Sequence, residues 1–184
     1  MKKNSLYFIG RNPTVDLVII RSPKNKPQQI LLIRRGPSGA EPNKYALPGG
    51  FHDTLSKQNQ IWVDDKESVI DAALRELNEE TKLNLTKYVK SGKINLINIG
   101  TYEGNNRDPR DTNMSWTHST AFLALIPDTL PEIKNIRGSD DAIDAKWFKL
   151  EDVPSLAFDH NKILSDAFLT FKETKKIKNN NKRI

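Results

Sequence analysis

Hydrophobic positions along this chain follow two periodicities. Runs rich in β-branched and aromatic residues occupy 14–20 (TVDLVII), 29–35 (QILLIRR), 94–103 (INLINIGTYE), 117–126 (THSTAFLALI) and 144–150 (DAKWFKL), and each reads as a strand. KYALPGG, 44–50, reads as a short strand entering a Pro-Gly-Gly turn. Two other stretches repeat apolar residues every three to four positions. In the first, Ile70, Ala73, Leu74 and Leu77 make the stripe, and Asp64 and Glu67 have capping-box spacing for the helix start. In the second, 159–173, the stripe is Ile163, Leu164, Ala167, Phe168 and Phe171, with Asp159 as the expected cap. The segments 22–28, 36–43, 51–63 and 104–115 are polar or rich in turn residues and read as loops. Strands mixed with two helices predict an α/β domain whose sheet lies between helical layers. Loops this short cannot make every connection parallel, so the sheet is expected to be mixed.

The first helix carries a second stripe. Glu76, Glu79 and Glu80 stand at i, i+3 and i+4, on one arc about 100° wide. A solvated acidic face would give the same pattern. Yet carboxylates near a helix C-terminus oppose the macrodipole at ~0.3–1 kcal/mol each, and Glu76 and Glu80 repel one another. A divalent cation bound there would relieve both penalties.

Charge and composition narrow the field. The chain has 184 residues and reads as one domain over 1–171, without repeats or linkers. It has no cysteine, which excludes disulfides, zinc–thiolate centres and cysteine nucleophiles and fits a cytoplasmic protein. No signal peptide is evident, and AFLALI is too short to span a bilayer, so no membrane partner is expected. The formal net charge is +6, but residues 172–184 (KETKKIKNNNKRI) carry +5 of it, leaving +1 for the domain. The basicity belongs to a tail expected to be disordered, and no specific nucleic-acid partner is expected. The oligomeric state is left open between a monomer and a homodimer.

The acidic stripe sits in a longer pattern. Gly50 closes the Pro-Gly-Gly turn, and Glu67, Arg75, Glu76, Leu77, Glu79, Glu80 and Leu83 follow at fixed spacing. This resembles the Nudix box, G-x5-E-x7-R-E-U-x-E-E-x-G-U with U aliphatic. Two departures stand out. Residues 51–66 separate Gly50 from Glu67 where the family has five, an insertion that places Trp62 as an anchor of a long surface loop or as a cap on the substrate. The glycine that usually ends the helix is Lys82, which must either adopt a left-handed conformation at a steric cost or let the helix run toward Asn84.

The resemblance implies a Nudix-type α/β/α sandwich that hydrolyses a nucleoside diphosphate linked to another moiety, using Mg²⁺ or Mn²⁺. Glu76, Glu79 and Glu80, with the Gly49 carbonyl, would hold the metal. Arg75 would hold the carboxylates, Glu67 would support the loop near the helix start, and the general base varies between members. The box arginine and glutamates are all present, and only a short basic tail follows the last helix; both favour an enzyme over a sensor that carries a DNA-binding domain. DPRDTNMSW, 108–116, RGSDDAIDAKWF, 137–148, and LAFDHNKIL, 156–164, further resemble ADP-ribose pyrophosphatases. Arg110 would then bind phosphate or ribose hydroxyls, Asp108 a ribose hydroxyl, and Trp116 would stack on adenine. One of Arg34 and Arg35 would meet a phosphate, since an alternating strand turns its neighbour elsewhere. Asp108 and Arg110 could instead pair on a surface turn. His118 and His160 could be ligands or bases, though lone histidines are more often neither.

Overall fold

The computed structural model describes residues 8–53, 57–58, 61–62, 66–104 and 107–180. In chain order the elements are β1 (Gly10–Arg21), β2 (Gln29–Arg35), β3 (Tyr45–Ala46), β4 (Gly49–Phe51), β5 (Lys57–Gln58), β6 (Ile61–Trp62), α1 (Val69–Thr81), α2 (Thr86–Lys90), β7 (Leu96–Glu103), β8 (Ser115–Ile126), β9 (Ala142–Lys149) and α3 (His160–Asn180).

β1 is the axis of the sheet. It runs parallel to β8 over its whole length, from Gly10 opposite Ser115 to Arg21 opposite Ile126. Its other edge is divided. Thr14–Asp16 pair antiparallel with β4, and Ile20 and Arg21 pair antiparallel with β2. β2 also pairs antiparallel with β3 and β9, and β7 pairs antiparallel with β8. The sheet is therefore mixed. The Pro-Gly-Gly turn lies at the fork where β1 leaves β4 for β2.

Period-2 alternation in β1 feeds two cores. Val15, Leu17 and Ile19 pack with Ala73, Leu74 and Leu77 of α1. Val18 and Ile20 pack with Ile163, Leu164, Ala167 and Phe171 of α3. Because both faces are covered, β1 reads as a continuous apolar run rather than an alternating one. The result is an α/β/α sandwich. Among the described residues no helix is long and apolar enough to cross a membrane.

Several boundaries differ from the sequence pattern. β1 starts at Gly10, ahead of Pro13, which has no N–H to give the ladder but accepts the His52 amide through its carbonyl. α1 is capped by Ser68, whose hydroxyl accepts the Asp71 amide, not by a capping box; Asp64 and the Trp62 side chain lie outside what is described. Ile70, expected in the apolar stripe, is 43% exposed, and Ala72 takes the buried position. α1 ends at Lys82, which is left-handed (φ 60°, ψ 14°) and donates its amide to Asn78 O. Residues 51–63 are not wholly irregular, since they hold the end of β4 and the β5–β6 pair. α2 was not expected. Ile94 packs in the core before β7 begins at Leu96, where the strand was expected at 94. β8 and β9 each begin two residues early, at Ser115 and Ala142. α3 runs from His160 to Asn180, past the helix end expected at 173 and into the segment expected to be a disordered tail.

Candidate active site

Two glycines let β4 fit closely between β1 and α1. A Cβ on Gly49 would lie 2.1 Å from the Val15 carbonyl oxygen, and one on Gly50 would lie 2.5 Å from the carboxyl carbon of Glu76. Leu17 donates to Pro48 O and His52 to Pro13 O, which makes Asp16–Gly49 a non-hydrogen-bonded pair. The Gly49 amide and carbonyl are thereby left outside the ladder with β1. The amide donates to Glu80 Oε2 at 2.9 Å.

Arg75 organises the other carboxylates. Its Nε and Nη2 hold Glu67 as a fork, Nη1 donates to Glu76 Oε1 (2.8 Å) and Glu79 Oε2 (2.9 Å), and Nη2 also donates to Phe51 O (2.8 Å). The hydrogen bonds it donates to Glu67 are the largest influence holding the guanidinium charged. Glu67 in turn accepts the Asp53 amide at 2.9 Å, tying the start of the long loop to the residue just before the α1 cap. Burial would raise the Glu67 carboxyl, but Arg75 and that amide hold it below the usual range.

Glu76 and Glu80 shift the opposite way from Glu67. Burial, with repulsion from Glu79 and Asp141 acting against Arg75, pushes Glu76 up to about 7. Burial, then repulsion from Asp141 and Glu76, pushes Glu80 well above the usual carboxylate range. Glu80 also shares a side-chain hydrogen bond with Asp141. Two acids in contact need either a proton or a cation between them. These oxygen donors suit a hard divalent ion. Among the described residues no three acidic or histidine side chains converge as a ready metal cluster, and Glu79 is drawn to Arg75. The expected trio is on one helix face but not gathered on one point.

Glu76, Glu80 and Asp141 line a cleft of about 490 Å³, the size of a small-molecule site. Across Gly49, Gly50, Phe51 and Asp141 it meets a second hollow lined by Arg35, Asp108, Arg110 and Phe158. Arg35 lies over the Phe158 ring (4.8 Å), and Arg110 over Phe51 (5.3 Å). Asp108 is buried and grips Arg110 as a fork, 2.9 Å to Nε and 2.6 Å to Nη2. Their pairing is thus built into the wall of the hollow rather than lying on a surface turn.

Two expected binding residues lie elsewhere. Arg34 points away and donates to Asn43 O at 3.2 Å. Trp116 lines a separate hollow with Glu103, Gly104, Thr112 and Asn113, because its neighbour Thr117 takes the side of β8 that faces Arg107. His118 pairs with Glu103 at 2.6 Å, away from the cleft. His160 is at the back of the hollow, where the Leu47 amide donates to Nδ1 (3.0 Å) and Nε2 meets Asp16 Oδ1 (3.1 Å). An amide can only donate, so the ring's hydrogen is on Nε2 and is given to Asp16.

Sequence reasoning missed Asp16, Arg107 and Asp141. Burial would raise the Asp16 carboxyl, but His160, Arg107 and Ser119 outweigh it and hold Asp16 well below the usual range. A lone Asp inside the apolar run TVDLVII was the available signal, since a buried charge needs partners.

A family model for the NUDIX domain matches residues 10–167. The chain belongs to the Nudix family. It is a Nudix pyrophosphohydrolase, and its Nudix box is the Gly50–Leu83 segment that joins β4 to the end of α1. The chain is 34% identical over 166 residues to an ADP-ribose pyrophosphatase of Methanocaldococcus jannaschii, covering 90% of this chain and 78% of that protein. Its structure is similar to the NUDIX domain of Shewanella oneidensis NrtR complexed with ADP ribose, with a TM-score of 0.67, 25% identity, and 89% and 90% of the two chains covered. It also resembles a mutT/nudix family protein of Listeria innocua, with a TM-score of 0.61, 32% identity, and 90% and 97% covered.

Proposed function

We propose that this Nudix enzyme hydrolyses ADP-ribose to AMP and ribose 5-phosphate with Mg²⁺ or Mn²⁺. The observation that carries the reading is a pair of adjoining hollows, sharing Gly49, Gly50, Phe51 and Asp141, with two chemistries. The first offers buried carboxylates, and the second offers two arginines braced on aromatic rings. A diphosphate bridging two ribosyl groups needs that combination: a cation on the anionic oxygens, and fork donors for the remaining oxygens and hydroxyls. The names of the Methanocaldococcus relative and of the ADP-ribose complex support the same substrate.

Glu76, Glu79 and Glu80, with the Gly49 carbonyl, would hold the metal; when bound, it neutralises diphosphate charge and lowers the pKa of its water. Arg75 keeps Glu76 and Glu79 in register with Glu67. The Gly49 amide fixes Glu80 against the turn. Arg35 and Arg110 bind the distal phosphate and ribose. Asp108 orients Arg110 through its fork, a different role from direct recognition of a ribose hydroxyl.

The test is a hydrolysis panel of ADP-ribose, NADH, diadenosine polyphosphates, nucleotide sugars and nucleoside triphosphates, with Mg²⁺ and with Mn²⁺, products separated by chromatography. ADP-ribose should have the highest kcat/KM. A preference for another substrate would overturn the assignment of Arg35 and Arg110 while keeping the carboxylate site. Binding of ADP-ribose without turnover of any substrate would point to a sensor.

A further inference from the structure

Three consecutive residues at the entry to α3 each grip a different wall of the cleft. Phe158 has φ 55°, a left-handed conformation that is costly for an aromatic residue. Its ring lies 4.8 Å under the Arg35 guanidinium, whose Nε is tied to Ala40 O at 2.7 Å. Asp159 holds Arg107 as a fork, Oδ2 to Nε at 3.1 Å and Oδ1 to Nη2 at 3.0 Å. Arg107 immediately precedes the Asp108–Arg110 pair, and its Nη1 donates to Thr117 at 3.1 Å. His160 joins Leu47, beside the Pro-Gly-Gly turn, to Asp16 of β1.

The carboxylate of Asp159 was expected to cap α3 and is instead spent on Arg107. Left-handed strain at Phe158 persists only where the surroundings hold it. Both observations mark a segment shaped by the cleft rather than by the helix that follows. We infer that Phe158, Asp159 and His160 are positioning residues for substrate. They set the Arg35 wall, the 107–110 loop and the 47–49 turn at fixed distances from one another. Misplacing any wall by a fraction of an ångström weakens every fork contact it makes. The inference rests on the reading of this cleft as the substrate site.

The experiment is steady-state kinetics on the full chain for Phe158→Leu, Phe158→Tyr and Asp159→Asn, with thermal melts alongside. For ADP-ribose, Phe158→Leu and Asp159→Asn should raise KM about tenfold while kcat stays within about threefold. Phe158→Tyr keeps the ring under Arg35 and should keep the wild-type KM. Unchanged KM in both disruptive variants would overturn the inference, as would a fall in kcat at constant KM. If Asp159→Asn melts below the assay temperature, Arg107→Lys carries the same test, since it keeps the charge and loses the fork. Wild-type turnover tests the substrate reading by itself. Should the wild type prefer another nucleoside diphosphate, the same KM shifts on that substrate uphold the positioning role, and their absence overturns it.

Discussion

Glu80 accepts the backbone amide of Gly49 at 2.9 Å, so the Pro-Gly-Gly turn and the acidic stripe of α1 form one unit. The turn is bare because the helix leaves no room. Gly50→Ala would set a methyl group 2.5 Å from the Glu76 carboxyl carbon, and the carboxylate would have to move. Turnover should fall about a hundredfold, with the melting temperature lowered by no more than a few degrees. Near-normal kcat in a folded Gly50→Ala protein would show that Glu76 need not sit against the turn.

Glu80→Gln keeps the shape and an oxygen that can accept the Gly49 amide, but it removes the charge. It should lower kcat by about two to three orders of magnitude with the circular dichroism spectrum unchanged. The loss should not be recovered by excess Mg²⁺ or Mn²⁺. Full recovery at high metal concentration would limit Glu80 to metal affinity.

Lys82 occupies a left-handed position that glycine adopts without strain. Relief of that strain is partly offset by the greater freedom of glycine in the unfolded chain. Lys82→Gly should stabilise the protein by roughly 1 kcal/mol, raising the melting temperature by about 2–4 °C. Activity should be unchanged, because among the described residues Lys82 Nζ donates to Glu79 O at 3.3 Å and to no carboxylate. A lower melting temperature would contradict the strain argument.

How much of this was legible in the sequence depended on distance along the chain. Glu67, Arg75, Glu76, Glu79 and Glu80 share one helix and its entry, so spacing alone places them on one side of it. Arg107 meets Asp16 across 91 positions and Asp159 across 52. That meeting is created by the parallel pairing of β1 with β8, which no local pattern encodes. Trp116 was misplaced for a smaller reason: the side a strand residue faces depends on where the strand starts and what covers each face. Alternation allowed one of Arg34 and Arg35 to face a ligand, and only the fold shows that Arg35 is the one that lines the hollow.

Without metal, stability should depend on pH in the direction set by Glu76. Its folded pKa of about 7 stands above the ordinary 4.5, so its contribution is full below pH 4.5 and is lost as pH rises through 7. Glu80 acts in the same sense. Asp16, held below the usual range, acts in the opposite sense, but only in acid. In EDTA the melting temperature should therefore fall from pH 5 toward pH 8, and saturating Mn²⁺ should flatten the fall. A melting temperature that rises with pH over this window would remove the electrostatic case for a cation at these carboxylates.

The most direct measurement is kcat/KM for ADP-ribose, taken for the wild type with Mg²⁺, with Mn²⁺ and in EDTA, beside Glu80→Gln under the same conditions. The predicted result is metal-dependent release of AMP and ribose 5-phosphate in equal amounts, abolished by EDTA and nearly abolished in Glu80→Gln. Equal turnover with and without the Glu80 charge, or products other than AMP and ribose 5-phosphate, would contradict the account.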